Sequence, residues 1–314
     1  MAMTASIHSW PELSYRRHRD TYDTVHLWTQ IVGKIRLALT PWLNHSWHVP
    51  LYVSATGLTT SLITHHEQGF EIRFDFIDHR LWLHSSSGAH QSFALEPMSV
   101  ATFYRRTMEA LAQLGLQPAI TPTPVELPDP VLPLPSDEEH ASYDAAAMTR
   151  LFQALLQSHR VLTLFRSRFL GKASPVHFFW GAFDLAATRF SGRPAPLHPG
   201  GSPHCADWIM QEAYSHEVCS AGFWPGAGLG EAAFYAYAYP EPTGFSAWPV
   251  EPAPATYNTS LGEFILPYEA VRCSADPDAT LLRFLESTYA GAATLADWDR
   301  QALERAESPG LDRG

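Results

Sequence analysis

The chain has 314 residues, a formal net charge of -11 and a pI near 5.8, which argue against a protein that follows a nucleic-acid backbone with a basic face. Apolar residues make up 46% of the chain and charged residues 17%, a balance typical of a folded globular protein. The first residues lack the features of a signal peptide, and no apolar run approaches the roughly 18 residues that span a bilayer. We therefore expect a cytoplasmic protein that binds neither nucleic acid nor membrane.

The chain begins with a predicted helix and a predicted strand. Apolar residues recur every three or four positions over 21–39, which indicates an amphipathic helix with Asp20 as its N-cap. The stretch 48–62 is rich in Val, Tyr and Thr, which favours a strand interrupted at Gly57.

A hairpin and a second helix are predicted to follow. Apolar and polar residues alternate over 70–76, which predicts a strand with one buried face that turns at 78–80 into a second strand. Ser99 and Gly115 suit the N-cap and the end of a helix that closes this half, which we place at 1–117.

A proline-rich segment separates this half from a second half that resembles it. Seven prolines between Pro118 and Pro135 favour extended backbone, so we assign 118–143 as a linker. The second half, 144–306, opens with a helix at 144–169, and 307–314 is expected to be a disordered tail. An offset of 127 positions aligns identical residues without a gap: Gln30 with Gln157, Leu37 with Leu164, Val49 with Val176, and Leu58 with Leu185.

These repeated patterns predict an α+β fold of two similar halves, each with helices packed on a small antiparallel sheet, related by a pseudo-two-fold axis. In that arrangement we expect 70–76 and 234–239 to be corresponding strands and a ligand site to lie between the halves. Chance agreement between two amphipathic patterns is the alternative. The halves differ most at 192–232, which we interpret as an insertion that folds over the second half.

Six stretches of the chain resemble a bacterial family known as domain of unknown function 5996. Two of them are PVHFFWGAFDLA and YSHEVCSAGFWPG. The resemblance extends from Trp10 to about Arg305 and implies one family-length unit, without implying an activity, a cofactor or a catalytic residue. The stretches are 20–34, 44–53, 74–81, 140–144, 175–186 and 214–226.

The first candidate site is an acid–base pair in an aromatic stretch. His177 and Asp184 flank several aromatic residues, among them Trp180, which we place in the wall of a ligand pocket. Burial and pairing shift the pKa values of such groups toward the working pH. Alternatively, His177 is a core histidine that bonds a backbone carbonyl. Arg189 and Arg193 follow, and they either hold an anionic ligand through bidentate hydrogen bonds or pair with the chain's excess carboxylates.

The second candidate site is His216 beside Glu217. A zincin helix would place a second histidine four residues after the first, where Ser220 stands. Zinc or iron could instead be bound by His216, Glu217 and a distant His48 or His177, because imidazole and carboxylate suit both metals. Packing or hydrogen bonding is the alternative for His48, which we expect at the mouth of a cleft.

Aromatic residues in the insertion are expected to hold this second site in place. Phe223 and Trp224 are too apolar to leave in water, so we predict that they anchor the insertion and bring His216 and Glu217 toward the His177 strand, with Trp224 also contacting the ligand. The glycines at 222–230 lack the Lys-Ser/Thr pair of a phosphate loop. The three cysteines show neither a disulfide framework nor a zinc knuckle.

Two hypotheses for the function remain open at this stage. The first is a small-molecule enzyme in which His177, Asp184, His216 and Glu217 do acid–base or metal chemistry in an aromatic pocket. The second is a non-catalytic binding or sensory protein with the same pocket. They differ in whether the polar groups converge on one point. The sequence specifies neither the ligand nor the oligomeric state.

Overall fold

A computed structural model describes residues 10–306, and the predicted tail at 307–314 lies outside the described residues. Within that range the fold is α+β, with seven α-helices and two six-stranded antiparallel sheets, which confirms the predicted class. None of the helices within residues 10–306 combines the length and apolarity needed to cross a membrane.

The first helix, α1 (Tyr15–Leu39), lies between the two halves of the molecule. It begins six residues earlier than predicted, because the side chain of Ser14 accepts a hydrogen bond from the Arg17 N–H and serves as the N-cap instead of Asp20. Almost every residue from Thr21 to Arg36 is buried, so protein surrounds the helix on all sides. The helix is therefore more deeply buried than the predicted amphipathic helix, which would bury only one apolar stripe.

The first sheet follows α1, and it contains the predicted hairpin. Its order is β1-β2-β4-β5-β6, with β3 paired to β4 on the side of β2. Ser99 caps the helix after it, as predicted. The elements are β1 (Tyr52–Val53), β2 (Gly57–Thr59), β3 (Ile63–His65), β4 (Gln68–Asp75), β5 (Arg80–Ser85), β6 (His90–Ala94) and α2 (Val100–Gln113).

The proline-rich segment 118–143 is packed against α1. The side chain of Gln30 bonds both backbone groups of Val125, at 2.9 Å each, which fastens the segment across the helix. The backbone N–H of Glu126 donates to the Pro203 carbonyl at 2.8 Å, so the segment also joins the second half.

The second sheet is a six-stranded antiparallel sheet with helices along one face. Its order is β11-β12-β10-β9-β8-β7. Helix α3 begins just after Asp144, the first residue of the predicted helix, which serves as its N-cap. The elements are α3 (Ala145–Ser167), β7 (His177–Phe179), β8 (Asp184–Pro194), α4 (Asp207–Ala213), β9 (His216–Trp224), β10 (Ala233–Tyr239), β11 (Thr256–Asn258), β12 (Glu263–Pro267), α5 (Tyr268–Arg272), α6 (Pro277–Leu295) and α7 (Arg300–Leu303).

Two sequence-based predictions about the second half are wrong. The segment 192–232 is not one irregular insertion, because β9 lies inside it and pairs with both β8 and β10 in the middle of the sheet. The predicted correspondence of 70–76 with 234–239 also fails in sheet order. The two sheets meet at β1 and β7. Counted from these strands, β4 is the third strand of the first sheet, whereas the third strand of the second sheet is β9 and not β10.

The two sheets meet at their edge strands, and one hydrophobic core spans the molecule. The backbones of Leu51 and Phe178 exchange two hydrogen bonds of 2.8 Å. The indole N–H of Trp180 donates to the Val49 carbonyl at 2.8 Å, and His26 bonds the Gly181 carbonyl at the same distance. A single cluster of buried side chains contains residues of both halves.

Candidate functional site

The second sheet has one face packed on helices and one face that forms the floor of a cavity. Alternation along the strands directs Leu185, Phe223 and Phe234 to the buried core. The neighbouring positions Ala186, Gly222 and Tyr235 are paired across β8, β9 and β10 and face the other way. Ala186 and Tyr235 border a cavity of about 740 Å³, within the size range of small-molecule sites.

Segments from both halves complete the cavity. Lys34 and Leu37 of α1 contribute to one wall, the segment Thr121 to Glu126 to another, and α4 with the loop before it covers the floor. Aromatic side chains dominate the lining: Trp42, Trp47, Phe179, Trp180, Phe190, Tyr214, Trp224, Tyr235, Tyr237 and Tyr239. The cavity therefore presents a mostly apolar surface with a few polar groups.

Asp184 and Tyr235 form a hydrogen-bonded pair in the cavity floor. The Tyr235 hydroxyl donates to Asp184 Oδ2, and it reaches across Gly222 to do so. A Cβ at Gly222 would come within 2.5 Å of the Tyr235 hydroxyl oxygen and would also collide with the Leu185 carbonyl. Burial, assisted by repulsion from Glu126 and Glu263, raises the pKa of Asp184 to about 7. The carboxyl group is thus poised to exchange a proton near neutral pH.

Two further carboxyl groups lie in the cavity wall. Burial raises the pKa of Glu263, on β12, to about 7. Partial loss of hydration also raises the pKa of Glu126, although the residue as a whole is exposed. Its backbone has φ 60°, a left-handed conformation that non-glycine residues rarely adopt. Strain of this kind occurs often at functional sites.

Lys34 is a buried cation in the same wall. Its ammonium donates to Thr121 Oγ1 at 3.1 Å and lies 5.8 Å from the centre of the Trp180 ring. The side chain is almost fully buried, and loss of hydration lowers its pKa to about 8. No carboxylate within the described residues pairs with it.

Hydrogen bonds between side chains hold the rest of the floor. The hydroxyls of Tyr214 and Tyr237 are 2.7 Å apart, and those of Thr188 and Ser220 are 2.8 Å apart. Burial raises the pKa values of Tyr235 and Tyr237 well above 10. These phenols therefore stay protonated, and their oxygens can also accept hydrogen bonds from a ligand.

The structure places the predicted histidines against protein partners outside the cavity lining. His177 is fully buried, its Nε2 lies 3.4 Å from the Tyr52 hydroxyl, and burial lowers its pKa to about 3. Nδ1 of His48 accepts a hydrogen bond from the Leu43 backbone N–H at 3.2 Å. Both imidazoles are neutral at physiological pH, the state expected of a core histidine.

His216 and Glu217 point to opposite faces of β9, so the sheet separates them. Glu217 Oε2 accepts hydrogen bonds from the guanidinium of Arg193, at 2.7 and 2.9 Å, and from Ser191. Arg193 also donates to the carbonyls of Ala296 and Asp297 after α6. These contacts anchor the C-terminal end of α6 to the sheet. The expected convergence of His216 and Glu217 with His177 does not occur.

Arg189 lies on the helix-covered face of the sheet, away from the cavity. Its guanidinium packs 3.5 Å from the centre of the Phe165 ring and pairs with Glu286 at 3.3 Å. It also donates to the Phe165 carbonyl. The prediction that Arg189 orients an anionic ligand is therefore wrong, and pairing with a carboxylate, the alternative, is what the structure shows.

No three acidic, histidine or cysteine side chains between residues 10 and 306 are grouped closely enough to hold a metal ion. The candidate ligands His48, His177, His216 and Glu217 each have separate surroundings, as described above. Of the nine residues singled out from the sequence, three line the cavity: Trp180, Asp184 and Trp224.

Lys34, Glu126, Tyr235 and Glu263 are among the polar residues of the cavity that the sequence analysis missed. The alternation Tyr-Ala-Tyr-Ala-Tyr over 235–239 was an available signal, because a strand with that pattern carries its tyrosines on one face. Glu126 had no such signal, since it lies in an irregular segment whose position depends on the hydrogen bonds between Gln30 and Val125.

The fold and the site define an α+β protein with a carboxyl-containing aromatic cavity on one of its two sheets. The chain belongs to the family of unknown function DUF5996, whose family model matches residues 10–305. This match confirms the family predicted from the sequence resemblance. No curated protein and no solved structure matches the chain.

Proposed function

We propose that this protein binds a small organic molecule in the cavity and that Asp184, oriented by Tyr235, acts on it as an acid–base group. The observation that carries this proposal is a carboxyl group with a pKa of about 7 in the floor of a cavity of about 740 Å³. Proton transfer is most efficient when the pKa of the catalytic group lies near the operating pH. Tyr235 holds one oxygen of the carboxyl group and thereby limits its rotation.

The alternative is a non-catalytic binding protein in which Asp184 only positions Tyr235. Several hydroxyl groups of the floor already bond one another, which suits a preformed binding surface. The two functions share the cavity and differ in whether Asp184 exchanges a proton with the ligand. The predicted zinc or iron does not enter this proposal, because its candidate ligands do not converge.

A cavity-filling variant tests whether ligands bind at this place. Ala186→Phe adds a ring to the floor beside Asp184 and should abolish the binding of fragments that the wild type binds, as detected by ligand-observed NMR. Ala112→Phe makes the same change on the exposed face of α2 and serves as the control. If both variants bind the same fragments with unchanged affinity, the cavity is not the binding site.

An isosteric variant separates the enzyme from the binding protein. Asp184→Asn retains an oxygen that accepts the Tyr235 hydrogen bond but cannot transfer a proton. Purified wild type and variant would be incubated with a metabolite extract and compared by mass spectrometry. We expect the wild type alone to convert a metabolite, while both proteins bind the same fragments. Equal conversion by both would exclude Asp184 as the acid–base group.

The two halves are further proposed to derive from one duplicated unit. Leu51 and Phe178, which pair with each other, are separated by the same offset of 127 positions that aligns the two halves in the sequence. Equivalent residues pair with each other when they lie on a two-fold axis. Apolar rows across the sheets also agree: Leu58, Phe74, Leu81 and Phe93 in the first, and Leu185, Phe223, Phe234 and Leu266 in the second.

A further inference from the structure

We infer that the ligand of this cavity is an organic cation, either an amine or a quaternary ammonium compound. The carboxylates of Glu126, Asp184 and Glu263 and the aromatic walls bind it. The inference rests on the proposed function, since it names the chemical class of the bound molecule. It depends on three observations: unpaired carboxyl groups, rings suited to cations, and a cavity too wide for a metal ion.

The acidic groups of the cavity lack counter-charges. No arginine, lysine or histidine between residues 10 and 306 forms an ion pair with Glu126, Asp184 or Glu263. Glu126 and Glu263 lie near enough to Asp184 for their repulsion to act on it. A bound cation would relieve that repulsion, whereas an anion would increase it.

The remaining titratable groups of the cavity form no ion pair with these carboxyl groups. Among residues 10–306, Lys34 is the one lysine or arginine in the cavity lining, and it donates to Thr121 instead of to a carboxylate. His45 and His198 have pKa values lowered by burial, so they are neutral near pH 7. The other titratable groups of the lining are His204, Cys205, Tyr214, Tyr235, Tyr237 and Tyr239.

The aromatic walls already contact ammonium groups of the chain itself. The Lys34 ammonium lies 5.8 Å from the centre of the Trp180 ring, and the Lys172 ammonium lies 5.2 Å from Trp47 and 5.0 Å from Phe190. All three rings line the cavity. The faces of indole and phenyl rings attract cations through their quadrupole, most strongly where water is excluded.

The spacing of the carboxyl groups favours an organic cation over a metal ion. The three carboxyls do not form a group that could coordinate one metal ion within the described residues. They border a cavity of about 740 Å³ whose lining is otherwise largely aromatic and aliphatic. A cation that carries several carbon atoms can fill this space and contact both surfaces, which a bare divalent ion cannot do.

Matched probes of one shape and three charges test this inference. Isothermal titration calorimetry on the full chain would compare 2-phenylethylamine, 2-phenylethanol and 3-phenylpropanoate near pH 7.5. We expect the amine to bind about tenfold more tightly than the alcohol, and the carboxylate to bind more weakly than both. The Ala186→Phe variant should lose the binding of the amine, which would place the probe in the cavity.

Charge-removing variants connect the preference to particular carboxyl groups. Glu126→Gln and Glu263→Gln should each reduce the affinity for the amine about tenfold and leave that for the alcohol unchanged. Glu109→Gln, on the exposed face of α2, removes the same charge far from the cavity and should change neither affinity. Circular dichroism would verify that each variant is folded. If a variant does not fold, the comparison of the three probes on the wild type still tests the inference.

A probe with a permanent charge does not titrate, so any pH dependence of its binding comes from the protein. The affinity for benzyltrimethylammonium should rise about tenfold from about pH 5.5 to about pH 7.5, as Asp184 and Glu263 lose their protons and Lys34 remains largely charged. A flat profile would overturn the assignment of these carboxyls.

The outcomes separate this inference from the proposed function. If the alcohol or the carboxylate binds in the cavity as tightly as the amine, the inference is wrong and the binding function stands. If none of the probes binds at about 10 mM and no fragment distinguishes the wild type from Ala186→Phe, both are wrong.

Discussion

At the scale of single residues, Gly222 permits the contact between Asp184 and Tyr235. Any larger residue would collide with the Tyr235 ring and the Leu185 carbonyl, so the phenol could not cross β9 to reach the carboxylate. The chemistry of Asp184 therefore depends on the side chains of three adjacent strands.

The raised pKa of Asp184 predicts a specific dependence of stability on pH. Its pKa is about 7 in the folded protein and lies near 4 in the unfolded chain, so the folded state binds the proton more tightly between these values. Its contribution to stability is thus present below about pH 4 and lost as the pH rises through 7. His26 and His177, with pKa values lowered to about 4 and about 3, have the opposite effect in this range.

A variant isolates the contribution of Asp184 from those of the histidines. The free energy of unfolding of Asp184→Asn should increase relative to wild type by an amount on the order of 2 kcal/mol between pH 5 and pH 8. Urea denaturation at several pH values measures the difference. Asp20→Asn, at an exposed site, should give a curve parallel to the wild type. A parallel curve for Asp184→Asn would mean that its pKa is not raised.

At the scale of elements, α4 covers the cavity with few contacts. This seven-residue helix has no buried residue. Trp208 packs 4.8 Å from the Trp42 ring, the Trp42 indole donates to Glu212 at 2.8 Å, and the Ala213 carbonyl bonds His45. Segments with little buried apolar surface open at low free-energy cost. We therefore expect α4 to control entry to the cavity.

Hydrogen exchange tests the attachment of α4. Trp208→Ala should accelerate amide exchange in 206–215 while changing the global free energy of unfolding by less than about 1 kcal/mol, because Trp208 is 52% exposed. Leu164→Ala, an exposed apolar residue on α3, should leave exchange in that segment unchanged. Unchanged exchange in Trp208→Ala would show that this contact does not hold the cover.

At the scale of the whole molecule, the two halves share one core. Helix α1 contacts the second half through His26 and Gly181, and the edge strands join at Leu51 and Phe178. The largest cluster of buried apolar side chains contains residues of both halves. The boundaries at 117 and 144 remain a prediction about how the sequence is divided. The two halves share one hydrophobic core in the fold.

A shared core predicts cooperative unfolding. Circular dichroism and tryptophan fluorescence should give coincident transitions in urea. Phe74→Ala in the first sheet and Phe223→Ala in the second should each lower the midpoint of that one transition, with a loss of about 3 to 5 kcal/mol. Separate midpoints, or a variant that shifts only part of the signal, would show that the halves unfold independently.

The sequence predicted the local elements better than the site. Alternation at 70–76, the cap Ser99 and the helix periodicity are local signals, and each corresponds to an element of the structure. The histidine and arginine sites were argued from residue type alone. Residue type does not show which face of a strand a side chain occupies. Arg189 and Glu217 were misplaced for this reason, and Glu217 also lay in a segment that was interpreted as an irregular insertion.

The sequence by itself determined the α+β class, the family and the order of most helices and strands, because these depend on interactions between residues close together in the chain. Only the tertiary structure decided which carboxyl groups lie in the cavity. Glu126, Asp184 and Glu263 come from three distant segments, and their proximity arises when β9 enters the sheet and the proline-rich segment packs on α1. Their raised pKa values follow from that burial, since desolvation depends on the surroundings that folding creates.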